Sequence, residues 1–160
     1  MEPRFEMLPP KVLVGQHLTM TYASNRTAEL WGRFMPRRRE VTQTVDGNLY
    51  SLQVFGDDFD FQKFDPLKGF EKWAAVEVSS AGTIPDGMDA FLLQGGLYAV
   101  FTYKGAASQG AKFFQYIFGT WLPSSEYLLD NRPHFEILGE KYRNDHPDSE
   151  EEVWIPVRPR

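Results

Sequence analysis

The first half of the chain alternates apolar and polar positions in a way that predicts three strands and one helix. Lys11–Tyr22, Leu49–Phe55 and Trp73–Ser79 are runs of apolar, β-branched and aromatic residues typical of strands. Between the first two, Thr27–Arg37 places its apolar residues near one helical face. Pro36 should end this helix or sit in its last turn, because proline cannot continue the hydrogen-bond ladder. The predicted order is βαββ.

The second half repeats this order. Gly96–Lys104 is predicted as a strand, Gln109–Leu122 as a helix stopped by Pro123, and Phe135–Tyr142 and Glu151–Val157 as two further strands. Neither half could bury both a helix and a sheet well alone. We therefore expect two βαββ units related by pseudo-twofold symmetry, with the helices on one side and a groove between the units.

The predicted fold class is thus α+β, a tandem duplication in one domain of residues 1–160. The first unit covers 11–79 and the second covers 95–157. Residues 1–10 contain three prolines, Pro3, Pro9 and Pro10, and are expected to be an irregular lead-in. The connector that joins the units is expected to be extended at Met88–Leu93.

The last predicted strand has two unlike faces. Val153, Ile155 and Val157 form one apolar row, which should face the helices, and Glu152 and Trp154 lie on the other side because side chains alternate along a strand. A carboxylate beside a large aromatic ring suits a flat or cationic organic molecule. An edge strand with an acidic, solvated outer face explains this segment equally well.

Other strands mix carboxylates and aromatic rings in the same way, and this recurrence favours a cleft. For any single residue, core packing or a solvated face is the more ordinary explanation. If the strands show the same side, the following residues should line one ligand-binding cleft: Glu152, Trp154, Glu136, Glu140, Tyr142, Trp73 and Tyr98.

Composition excludes several classes of function. The chain has 160 residues, a formal net charge of −5 and 15% aromatic residues. An acidic chain is a poor generic partner for nucleic acid, so no DNA binding is expected. It has no cysteine, and its three histidines lack metal-ligand spacing, so we expect neither a metal nor another cofactor. With no long apolar run and no apolar leader, we expect a cytoplasmic protein without membrane insertion. The sequence does not indicate an oligomeric state.

Four segments resemble one known family. Gly95–Val100, Trp121–Ser125, Arg132–Glu136 and Glu152–Val157 are similar to motifs of the GyrI-like small-molecule-binding domain, which also forms the effector-binding half of certain AraC-type and multidrug-sensing regulators. The resemblance implies a tandem βαββ fold with a central groove. It also implies binding of hydrophobic, often cationic or polycyclic compounds, with a buried glutamate as counter-charge.

By position, Glu152 and Trp154 match the family's final-strand pair, and Glu136 matches its Phe-Glu strand. No helix-turn-helix is found before the domain, so a stand-alone form without a direct role in transcription is expected. Two other functions stay open from the resemblance. One is hydrolysis of reactive small molecules, with Glu152 or Glu136 as general acid or base, and the other is a protein-interaction module of the gyrase-inhibitor type.

Overall fold

The computed structural model describes residues 1–160 and contains nine strands and three short α-helices. In chain order, these elements are β1 Arg4–Leu8, β2 Lys11–Met20, α1 Thr27–Phe34, β3 Leu49–Val54, β4 Phe70–Val78, β5 Asp89–Leu93, β6 Gly96–Lys104, α2 Ala111–Tyr116, α3 Leu122–Ser124, β7 Tyr127–Leu129, β8 His134–Leu138 and β9 Glu150–Pro159. A 3₁₀ turn, Met35–Glu40, follows α1, and a wider π turn, Ile117–Trp121, joins α2 to α3. None of the helices has the length and apolar character needed to cross a membrane.

The strands form one antiparallel sheet in the order β1-β6-β9-β8-β3-β4-β2-β5, and β7 pairs with the far end of β9. Strands of the two halves occupy equivalent places on either side of the central pair, β8 and β3. The α+β class with a large antiparallel sheet is therefore confirmed. The strand order also agrees with two units, 11–79 and 95–157, whose superposition stays a prediction.

The helices pack on one face of this sheet, here called the helix face. Leu30 and Phe34 of α1 lie in an apolar cluster with side chains of β2 and β4. Phe113 of α2 and Ile117 of the π turn lie in a second cluster, with side chains of β6 and β9 that include Val153. Burial of these apolar helix residues holds each helix against the strands of its own half.

The opposite face, here called the inner face, holds a third apolar cluster that contains no helix residue. Its large side chains are Tyr50, Trp73, Tyr98, Phe135 and Trp154. The sheet covers this cluster by curling. Short links tie its two edges together at one end, because β1 runs into β2, and β5 into β6, through only two residues each.

Several sequence predictions differ from the structure. Residues 1–10 are not irregular, because Arg4–Leu8 completes the ladder beside β6. The strand expected to reach Tyr142 ends at Leu138, and the helix expected over 109–122 is broken by the π turn. The extended segment expected at Met88–Leu93 is present as β5.

Candidate functional site

The register between β8 and β9 decides where the predicted site residues point. Phe135 pairs with Trp154, and Glu136 pairs with Val153. Paired residues share a face of the sheet. Glu136 therefore points to the helix face with Val153, while Trp154 points to the inner face with Phe135. The expected convergence of Glu136 with Glu152 and Trp154 on one cleft is wrong.

Three predicted residues are packed in the inner-face core. Trp73 is 4% exposed, Tyr98 is 0% exposed and Trp154 is 6% exposed. Their polar atoms are satisfied internally, since the Trp154 indole nitrogen donates to Glu152 at 3.2 Å and the Tyr98 hydroxyl donates to the Pro133 carbonyl at 2.7 Å. These rings hold the curled sheet together.

Glu152 lies at the rim of the inner face. Its carboxylate pairs with the Arg4 guanidinium of β1 at 2.7 Å, and its side chain is 36% exposed. Trp73 of β4, in the first half of the chain, repeats the arrangement of Trp154. Its indole nitrogen donates at 2.6 Å to Glu71, two residues earlier. Each half thus contains a tryptophan bonded to the carboxylate two residues before it.

The remaining two predicted residues lie beyond the end of β8. Glu140 is exposed in the turn that follows the strand. The alternation of side chains along β8 therefore does not determine the direction of its side chain. Tyr142 is half-buried, and its amide donates to the Gly139 carbonyl. Burial and the Glu151 carboxylate raise the pKa of Tyr142.

Polar side chains occupy the helix face over the two central strands, where neither apolar cluster extends. We call this the central groove. Its residues are Ser51 and Gln53 of β3, His134 and Glu136 of β8, Lys72 of β4 and Glu151 of β9.

Glu136 is the most perturbed carboxylate of the central groove. Burial raises its pKa to about 8, against an opposing effect of Lys72, and the Glu151 carboxylate reinforces the effect of burial more weakly than Lys72 opposes it. The Gln53 amide donates to it at 3.4 Å. Burial also raises the pKa of Glu151 to about 7. Two carboxyl groups whose pKa values lie near neutral pH, on the same face of the sheet, mark a candidate functional site.

Aromatic rings form the wall of the groove around His134. The loop at residues 55–69 carries Phe61 against the second half, where its ring stacks on Phe118 with centroids 4.7 Å apart and on His134 with centroids 5.1 Å apart. Phe55 meets the imidazole edge-on at 4.9 Å. Burial lowers the pKa of His134 to about 3, so the imidazole is neutral.

Two open spaces flank the loop that carries Phe61. A cavity of about 190 Å³ lies between Phe55, Phe59 and Arg132, and a larger groove of about 830 Å³ lies between the loop and the α3–β7 segment. Phe61 lines both spaces, and Glu136 lines neither. The Phe61 ring thus separates these spaces from the polar residues of the central groove at its His134 end, where it stacks on the imidazole.

Sequence reasoning missed several groove residues. Glu151 shares the face of Val153 by the same parity that was applied to Glu152, so its signal was present. Lys72 lies one residue before the expected start of its strand, and Phe61 lies in a loop without periodicity. Of the seven predicted residues, the structure places Glu136 in the groove, and Tyr142 lies beyond the end of β8.

A family model matches nearly the whole chain. The model of the GyrI-like small molecule binding domain matches residues 1–158. The transcriptional regulator BrlR of Pseudomonas aeruginosa is 27% identical over 158 residues, which are 98% of this chain and 56% of BrlR. The chain thus spans little more than half the length of that relative.

Solved structures share the fold. The structure of SAV2435 bound to tetraphenylphosphonium has a TM-score of 0.74 and 18% identity, over 99% of this chain and 94% of that one. The integron cassette protein VCH_CASS2 from Vibrio cholerae has a TM-score of 0.67 and 16% identity, over 99% and 97% of the two chains. Because the family model matches nearly the whole sequence, the chain belongs to the GyrI-like small molecule binding domain family.

Proposed function

We propose that this protein binds small aromatic cations in the central groove, with Glu136 as the counter-charge. The observation that carries the proposal is a carboxylate without a cationic partner. Gln53 supplies the side-chain hydrogen bond to Glu136, and no lysine or arginine nitrogen lies within 4.0 Å of it. A carboxylate in a half-buried position is stabilised by a cationic partner, and a ligand cation can supply one.

The raised pKa of Glu136 gives this binding a physical mechanism. In the empty groove the carboxyl group is mostly protonated at neutral pH. A ligand cation favours the ionised form, so Glu136 releases its proton to solvent as the ligand binds. The paired charges then interact strongly because protein surrounds them. The ligand's rings meet an aromatic partner in Phe118, on which the Phe61 ring stacks in the empty protein.

A fold neighbour supports the ligand class. SAV2435 is described as bound to tetraphenylphosphonium, an aromatic cation. At 18% identity that structure shows the fold alone. For this chain the support is the raised pKa of Glu136 and its lack of a salt bridge.

Calorimetric titration with two probes of similar shape tests the proposal. Phenylpyridine is neutral above its pKa, and N-methylphenylpyridinium carries one permanent positive charge. E136Q keeps the side-chain shape and removes the charge. It should weaken the cation by at least about tenfold and leave phenylpyridine nearly unchanged.

E140Q is the matched control, because Glu140 is an exposed glutamate outside the groove. It should bind both probes like the wild type. Equal losses for both probes in E136Q would show that Glu136 has a structural role and no counter-charge role.

A further inference from the structure

The cavity of about 190 Å³ beside the loop at residues 55–69 has a buried polar group in its wall. His134 lines this cavity and is 6% exposed. Neither of its ring nitrogens forms a hydrogen bond with another group of the protein. Burial alone lowers its pKa to about 3, so the neutral ring offers one N–H donor and one acceptor nitrogen. A buried polar group without a partner is costly, and a ligand can supply the missing bond.

Aromatic rings hold the imidazole in place. Phe61 stacks on its face, with an interplanar angle of 15°, and Phe55 meets it at 76°. Imidazole nitrogens form their hydrogen bonds in the plane of the ring, so a stacked phenyl ring cannot satisfy them. The partner of His134 must therefore approach the edge of the imidazole, and the cavity that His134 lines gives room for one.

The size and the walls of the cavity suit a single aromatic ring. A protein cavity of about 150 Å³ is large enough for benzene, and this one is somewhat larger. Phe55, Phe59 and Leu129 supply apolar walls. Asp57 and Asn131 are exposed residues of the lining, so a ligand can enter from solvent on their side.

The charges around the cavity favour a neutral ligand over an anion. The Arg132 guanidinium donates to Asp130 at 3.0 Å and to the Leu97 carbonyl at 2.6 Å, so its charge is already paired. Asp57 adds a negative charge on the exposed side. A carboxylate or a phenolate would be repelled there, while the buried His134 is neutral and calls for no counter-charge.

We propose that this cavity is a second binding site, which takes a neutral aromatic ring with one hydroxyl group, a phenol, and bonds the hydroxyl to His134. A hydroxyl both donates and accepts, so it can pair with whichever ring nitrogen faces the cavity. This inference goes beyond the proposed function, because Glu136 does not line the cavity and a phenol carries no charge to pair with it.

The test compares two probes of nearly the same shape, p-cresol and p-xylene, in which a methyl group replaces the hydroxyl. In NMR titrations at pH 7, where a phenol is neutral, the wild type should bind p-cresol about three- to tenfold more tightly than p-xylene. H134F keeps a ring between Phe61 and Phe55 and removes both nitrogens. It should bring the ratio of the two dissociation constants close to one.

Two control variants accompany H134F. H146F makes the same replacement at a histidine outside the cavity, and E136Q changes the central groove. Both should keep the wild-type preference for p-cresol. Loss of p-cresol binding in E136Q would place this ligand in the central groove, which would overturn the second site and leave cation binding untouched.

A spectroscopic measurement on the wild type makes the test independent of the folding of H134F. The chain has three histidines, and His134 is the one whose ¹⁵N signals should not titrate between about pH 5 and 8. Saturation with p-cresol should shift these signals, p-xylene should shift them much less, and those of His17 and His146 should stay in place.

Three results would overturn the phenol site. They are equal affinity of the wild type for the two probes, an unchanged preference for p-cresol in folded H134F, and His134 signals that do not move when p-cresol is saturating. Failure of p-cresol to bind at all would have the same consequence. None of these results bears on N-methylphenylpyridinium, so this inference and the proposed function fail separately.

Discussion

The ring of Phe135 stacks on the indole of Trp154, with centroids 5.2 Å apart and an interplanar angle of 17°. The two residues are paired in the register of β8 and β9, so their side chains share the inner face. Since side chains alternate along β8, Glu136 must point to the helix face. The pairing of Phe135 with Trp154 thus shows that the aromatic core lies on one face of the sheet and Glu136 on the other.

Glu152 should therefore have no role in ligand binding. E152Q should keep the affinity for N-methylphenylpyridinium within about twofold of the wild type, because Glu152 pairs with Arg4 on the other face. Calorimetric titration of E152Q beside E136Q measures this. A loss in E152Q as large as that in E136Q would show that the ligand binds on the inner face.

Trp154 should act on stability instead. W154A should lower the free energy of unfolding by about 3–5 kcal/mol, because it removes a buried ring that packs on Phe135 and Tyr98. Urea denaturation measures the change. F64A is a suitable control, since Phe64 is 59% exposed and its loss should cost much less. Wild-type stability in W154A would contradict the assignment of this residue to the core.

Sequence patterns predict faces within a strand well and relations between strands poorly. The parity of Val153 and Ile155 correctly places both against the helices. Parity alone does not give the register of β8 on β9, and a shift of one residue would exchange the faces. For this reason the sequence prediction puts Glu136 on the side of Trp154, although the alternation of side chains within β8 and within β9 is as predicted.

The end of β8 and the edge strand β1 were also not predicted by the sequence pattern. Glu140 continues the apolar–polar alternation of β8, yet the chain turns after Leu138. Arg4–Leu8 lies among prolines and becomes a strand only because β6 offers a free edge, a partner far away in sequence. Tertiary pairing decided both cases.

Phe61 should compete with ligands for the aromatic part of the groove. F61A should strengthen binding of N-methylphenylpyridinium by about three- to tenfold, because the ligand no longer has to displace a ring stacked on Phe118 and His134. Calorimetric titration measures the gain, and F64A in the same loop should show none. Weaker binding by F61A would mean that Phe61 is a ligand contact and not a competitor.

The stability of the empty protein should fall as pH rises through neutrality. The Glu136 carboxyl has an ordinary pKa of 4.5 and a pKa of about 8 in the folded chain, so the folded state holds a proton that the unfolded state has lost. Its contribution to stability is full below about pH 4.5 and is lost as the pH passes 8. Glu151 acts in the same direction, with a pKa of about 7.

The pH range above the ordinary imidazole pKa of 6.5 excludes the contribution of His134, because the buried neutral His134 destabilises the fold only when the pH falls below that value. Lys72, whose pKa burial lowers, acts against the effect of Glu136 at the upper end of the range. Between about pH 6.5 and 9, Glu136 alone should remove roughly 2 kcal/mol of unfolding free energy, at about 1.4 kcal/mol per pKa unit. Urea denaturation at both pH values should show this loss in the wild type, a smaller loss in E136Q and the smallest in the E136Q/E151Q double variant. E140Q should behave like the wild type. An E136Q profile as steep as that of the wild type would mean that Glu136 is ionised in the empty groove, and the coupling of its proton release to cation binding would then be wrong.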